Sequence, residues 1–224
     1  MTFKELAYLM LTLSSIPLWI GFILSVIVYK KLDPLHKSLR TYLFLMLVVD
    51  ITSKVLGRVY NNNLILLPIF SFVELAFFIY FYNVYLLKKR NYVLMGIGLT
   101  GLMFIIAEFL QYFIFNTLDI KQFQPYAKVT DNFIIVLMAL TFYLEKMNDF
   151  RETKWDNLKL NTVILIFFTL NAIMFLPYNF IINSTGDAKF YIWTINMIIM
   201  LLFYTYLATA IWRNCRSKTV IRKT

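Results

Sequence analysis

Residues 92–115, YVLMGIGLTGLMFIIAEFLQYFIF, run for 24 positions with one charged side chain, Glu108. Wound as a helix at roughly 1.5 Å per residue, the stretch reaches about 36 Å, more than the roughly 30 Å of bilayer hydrocarbon. Lipid offers backbone N–H and C=O groups no partner. A run this long and continuously apolar is therefore a membrane helix, not a barrel strand, whose apolar residues would alternate with polar ones. Gly96, Gly98 and Gly101 spell GxGxxG, but no strand precedes them. They predict close helix packing, not a dinucleotide site.

Working outward, comparable stretches lie at 6–29, 39–60, 64–87, 126–147, 158–182 and 190–212. The fifth in chain order has the shortest uninterrupted apolar core, 133–144, and leaves a six-span arrangement open; the second is interrupted by three charges. The composition agrees, with 60% hydrophobic and 18% aromatic residues and a mean hydropathy of +0.69. Such values lie well outside those of a water-soluble domain. The sequence predicts an all-α, polytopic transmembrane helix bundle over 1–212, followed by a basic cytoplasmic tail at 213–224. The first apolar stretch is too long for a signal-peptide core and is predicted to remain as a span.

Loop charge orients the bundle, because Lys and Arg are retained on the cytoplasmic side. One set of connections holds sixteen: Lys30, Lys31, Lys37, Arg40, Lys88, Lys89, Arg90, Lys146, Arg151, Lys154, Lys159, Arg213, Arg216, Lys218, Arg222 and Lys223. The other holds Lys4, Lys121, Lys128 and Lys189. The N-terminus is predicted outside and the C-terminus inside, an alternation that needs an odd number of spans and favours seven. The net charge of +10 is spread over juxtamembrane sites. This predicts anionic lipid at the inner loops and tail, and no nucleic acid.

Six charged residues remain inside the spans: Asp50, Lys54, Arg58, Glu74, Glu108 and Asp131. Charges in hydrocarbon are costly, so they are read as lining a cavity, an ion path or a ligand site. Asp50, Ser53, Lys54, Gly57, Arg58 and Asn61 follow helical spacing as one stripe. Asp50 and Lys54 form an i,i+4 pair in the favourable order. Lys128 and Asp131 share a face. Counted from the predicted outer ends, Lys54, Glu108, Asp131 and Asn196 lie roughly 8 to 10 Å deep and Asp50 and Glu74 roughly 15 Å, with Asn171 slightly deeper. These residues predict a cavity opening outward, with Glu74 the carboxyl least obviously neutralised. Four acids against two bases leave an excess of two negative charges, to be offset by protonation or by a bound cation or amine. The bland alternative is that they pin helices together as polar packing contacts. Pro17 and Pro177 are placed to bend their helices.

Catalysis finds little support. The only histidine is His36 and the only cysteine Cys215, so neither a multi-histidine zinc centre nor a disulfide can be assembled within this sequence. No metal or cofactor is predicted. Residues 62–82, NNLILLPIFSFVELAFFIYFY, join two asparagines, an apolar run, a small hydroxyl residue, a mid-helix Glu and a closing Phe-Tyr. The arrangement resembles a family of uncharacterised seven-span bacterial proteins. The resemblance implies an inner-membrane location and signalling, and carries over Glu74 as a site residue. Three readings follow: sensing of a small ligand or ion with signalling through a partner at 148–157 or the tail, a small proton- or cation-coupled secondary transporter, and a homo-oligomeric channel or membrane effector. Sensing ranks first.

Overall fold

The computed structural model describes residues 3–60, 63–115, 123–148, 155–183 and 188–221. Eight α-helices follow in chain order: α1 (Phe3–Ile27), α2 (Pro34–Val59), α3 (Leu66–Phe81), α4 (Tyr92–Phe109), α5 (Tyr126–Asn148), α6 (Trp155–Phe175), α7 (Tyr178–Asn183) and α8 (Ala188–Ile221). Among the described residues there is no strand. A 3-10 turn (Tyr29–Lys31) follows α1, and π-helical turns (Tyr82–Leu86 and Leu110–Ile114) finish α3 and α4.

Among the described residues, six helices are long and apolar enough to cross a membrane, over Leu9–Ile27, Leu66–Leu86, Tyr92–Ile114, Tyr126–Met147, Asn157–Phe175 and Phe190–Arg216. They leave large apolar side chains such as Ile27, Met103, Phe133 and Leu202 exposed, a surface suited to lipid. The chain is built as a multi-pass membrane protein. The fifth stretch, with its short apolar core, forms an unbroken 23-residue helix that is one of these six. The 26-residue α2 is not, since Asp50, Lys54 and Arg58 crowd its second half. The basic segment from 213 begins within α8, which continues without a break to Ile221.

The chain divides into two compact units, residues 1–54 with 185–224 and residues 55–184. In the first, α1 packs along α8. Gly21 makes this approach close, since a Cβ there would meet Ala208 Cβ at 3.1 Å and Leu43 Cδ1 at 3.2 Å. Tyr42 and Phe203 meet edge to face with centroids 6.2 Å apart. Asp33 and Pro34 start α2 as an N-cap followed by an N1 proline. Asp33 Oδ1 accepts from His36 N–H at 2.8 Å and contacts His36 Nδ1 at 2.7 Å, while Asn214 Nδ2 donates to Asp33 Oδ2 at 2.8 Å. Burial pushes the Asp33 carboxyl up, but these partners outweigh it and hold the group down at about 2. Pro17 lies within α1 without interrupting it.

In the second unit α5 is central, packed on α3, α4 and α6. Two of the three glycines in α4 serve close packing, as the sequence predicts. A Cβ on Gly98 would meet Ile79 Cδ1 at 2.6 Å and one on Gly101 would collide with Ile134, whereas Gly96 faces open space. Phe78 of α3 meets Phe168 of α6 edge to face at 4.9 Å. Tyr82 Oη donates to Asn161 Oδ1 at 2.8 Å, and Asn161 Nδ2 donates to Ala139 O at 3.1 Å, tying α3, α6 and α5. Pro177 does what Pro17 does not: the sixth stretch breaks there into α6 and α7. Gln124 spans the break, donating to Phe175 O at 2.8 Å and Leu176 O at 2.7 Å while its Oε1 accepts from Asn179 N–H at 2.9 Å. One amide thus satisfies groups orphaned at a helix end and at the next helix start.

Candidate functional site

The charged residues of the spans fall into two groups of different build. In the first unit, Lys54 Nζ donates to Asp50 Oδ2 at 2.8 Å and to Ser15 Oγ at 2.6 Å, and Ser15 Oγ donates to Asp50 Oδ1 at 3.1 Å. The i,i+4 pair predicted on α2 is thus formed, with a hydroxyl from α1 added. The side chains of Lys54 and Asp50 are 33% and 23% exposed, and their charges cancel. Asn196, in the same unit, has a buried Oδ1 with no hydrogen-bond partner.

The second group is closed. Lys128, on the first turn of α5, pairs with Glu74 of α3 and, at 3.0 Å, with Asp131 one turn further along α5. Their side chains are only 3%, 1% and 0% exposed. The Lys128 ammonium also lies 4.2 Å from the centroid of the Phe70 ring, an apolar wall that offers a cation its π-face. The local reason for this placement is Pro125. Its carbonyl accepts from Lys128 N–H at 3.1 Å and Val129 N–H at 3.2 Å, starting the helix before Lys128 and turning that side chain inward. Glu108 of α4 completes the arrangement from the side. Its Oε2 accepts from Ala127 N–H at 2.6 Å, so the carboxyl caps the N-terminus of α5, where a free amide and the helix dipole both favour an anion.

Two sequence expectations change here. Lys128, counted among the outer loop cations, is a buried member of the cluster. Glu74, expected to be the carboxyl least neutralised, is paired with it. The carboxyl with no ion pair in this arrangement is Glu108, whose Oε1 is buried without a hydrogen-bond partner. Arg58 is exposed near the end of α2, and Asn171 is buried but donates to Phe167 O of its own helix at 3.0 Å. Ser15, Gln124 and Asn132 were not singled out by sequence.

Further polar side chains are buried in the second unit: Ser71 and Asp131 interact with one another, and both Oδ1 and Nδ2 of Asn132 are without a hydrogen-bond partner. Ser71 precedes Glu74 by one turn of α3, and Asn132 adjoins Asp131. Unsatisfied buried groups are rare, and those of Asn132 and Glu108 mark a place where another species completes the bonding or where strain is held. Among the described residues, no group of three or more His, Cys, Asp or Glu side chains is placed to hold a metal ion. Counted over Glu74, Glu108, Asp131 and Lys128 alone, three carboxyls and one ammonium leave α3, α4 and α5 a formal excess of two negative charges. No protein-family model, curated protein or solved structure matches the chain.

Proposed function

We propose that this chain is a seven-span protein of the bacterial inner membrane, N-terminus outside and C-terminus inside, that senses a small ligand or ion and signals through a partner. Supporting a seventh span, α2 has 26 residues, about 39 Å of helix, and two of the three charges in its second half, Asp50 and Lys54, neutralise one another. Sixteen Lys and Arg in one set of connections against three in the other, with Lys128 left out as buried, support the orientation. A fluorescent protein fused to the C-terminus should mature in the bacterial cytoplasm; a dark fusion of normal abundance would reverse the orientation.

The observation that carries the functional reading is the enclosed Glu74, Lys128 and Asp131 cluster with Glu108 beside it. Holding so many charged groups inside a small membrane bundle is costly where apolar side chains would pack as well, which points to use. The cluster joins α3 to α5, so a species that altered its charge would act on both helices. The basic segments at the predicted inner face suit a partner or anionic lipid; the loop at 149–154 lies outside the described residues. Photo-crosslinkers placed at Lys159 and Arg216 should trap a partner in living cells, and trap less of it with Lys128→Met. Absence of any product at either position would overturn signalling. Solute or proton flux in liposomes, lost in Glu74→Gln, would instead establish the transporter reading.

A further inference from the structure

We infer that the ion taken by this site is the proton, carried on Glu108 where α4 caps the start of α5. The inference rests on the ion-sensing reading above and names the ion. Three observations lead to it. The site is enclosed: Glu74, Asp131, Lys128 and Glu108 are 0%, 0%, 3% and 5% exposed, which suits a small ion far better than an organic solute. Its charge balance calls for a cation, and among the described residues no three of its carboxyls are grouped to hold a metal ion. Finally, Glu108 Oε1 is buried and unpaired, while Oε2 is engaged by Ala127 N–H.

The ionisable groups on the packed elements set the balance. Tyr112 lies one turn beyond Glu108 on its own element, Tyr126, Lys128 and Asp131 lie on α5, and Glu74 lies on α3. The one cation in this set, Lys128, is committed to Glu74 and Asp131. In the bound state a proton from bulk water forms an O–H bond at Oε1, while Oε2 still accepts from Ala127 and Lys128 keeps its own protons. On release the negative charge returns to the carboxylate and strengthens its hold on α5, the helix that carries Lys128 and Asp131.

Infrared difference spectroscopy on the purified full-length protein in phosphatidylcholine vesicles tests this. Between near-neutral and alkaline pH, where exposed Glu side chains are already ionised, a protonated carboxyl C=O band should disappear reversibly. The band should shift on labelling glutamate with carboxyl carbon-13, vanish in Glu108→Gln and persist in Glu74→Gln. No titrating band, a band indifferent to the glutamate label, or one that survives Glu108→Gln would overturn the assignment. Should Glu108→Gln fail to fold, the labelled wild type still separates glutamate from Asp131. Because the spectra need no partner, a failed crosslinking experiment and a failed titration are distinguishable.

Discussion

The two charged groups of this protein solve the same problem in opposite ways. Asp50 and Lys54 lie one turn apart on one helix, carry balanced charge and remain partly exposed. Glu74, Lys128 and Asp131 draw on two helices, carry unbalanced charge and are enclosed. The partly exposed pair keeps contact with its surroundings and contributes little to stability in either direction. The enclosed cluster holds charges whose solvation has been replaced by one another, so its members depend on each other.

Replacing the cation in each group exposes this contrast most strongly. Lys128→Met leaves two buried carboxylates without their cation and should cost about 3–5 kcal/mol. Lys54→Met should cost about 1 kcal/mol or less. Thermal unfolding of both variants in one detergent makes the comparison, and equal losses would abolish it. Next in size, Gly101→Val drives a side chain into Ile134 beside the cluster and should cost about 1–3 kcal/mol through overpacking. The same assay would show whether α4 and α5 must approach closely for the cluster to form. Gln124→Ala removes the hydrogen bonds spanning the Pro177 break and should cost about 1–2 kcal/mol, with faster amide exchange confined to the α6 end and α7.

A pH-dependent effect belongs to Asp33, outside the spans. Its folded-state carboxyl is held down at about 2 against an ordinary 3.8. Its contribution is therefore fully present above the ordinary value and fades as pH falls through the folded value. An acid titration of stability in wild type and Asp33→Asn should show a difference at neutral pH that shrinks between about pH 4 and pH 2. A difference unchanged over that window would remove the capping account of α2.

The same contrast explains what was legible in the sequence. The helices are written in long apolar runs, and Asp50 with Lys54 in helical spacing, because both depend on neighbours along the chain. Gly98 and Gly101 also announce their close packing. Lys128 could be placed on one face with Asp131, yet its proximity to the end of a span made it look like a loop cation. Pro125, three residues earlier, was the available signal that the helix had already begun. The Glu74 pairing has no local signature, since its partner comes from 54 residues away. The two prolines also behave differently: α1 runs unbroken through Pro17, whereas at Pro177, nearer the end of its stretch, Gln124 supplies groups that satisfy the break.

The central claim is that Lys128 binds Glu74 and Asp131 into one mutually dependent unit, and a double-mutant cycle between Lys128 and Glu74 tests it most directly. Stability would be measured for the wild type, Lys128→Met, Glu74→Gln and the double variant. The account predicts that Glu74→Gln recovers part of the loss caused by Lys128→Met, because it removes one of the stranded charges. A double variant whose loss equals the sum of the two single losses would contradict it.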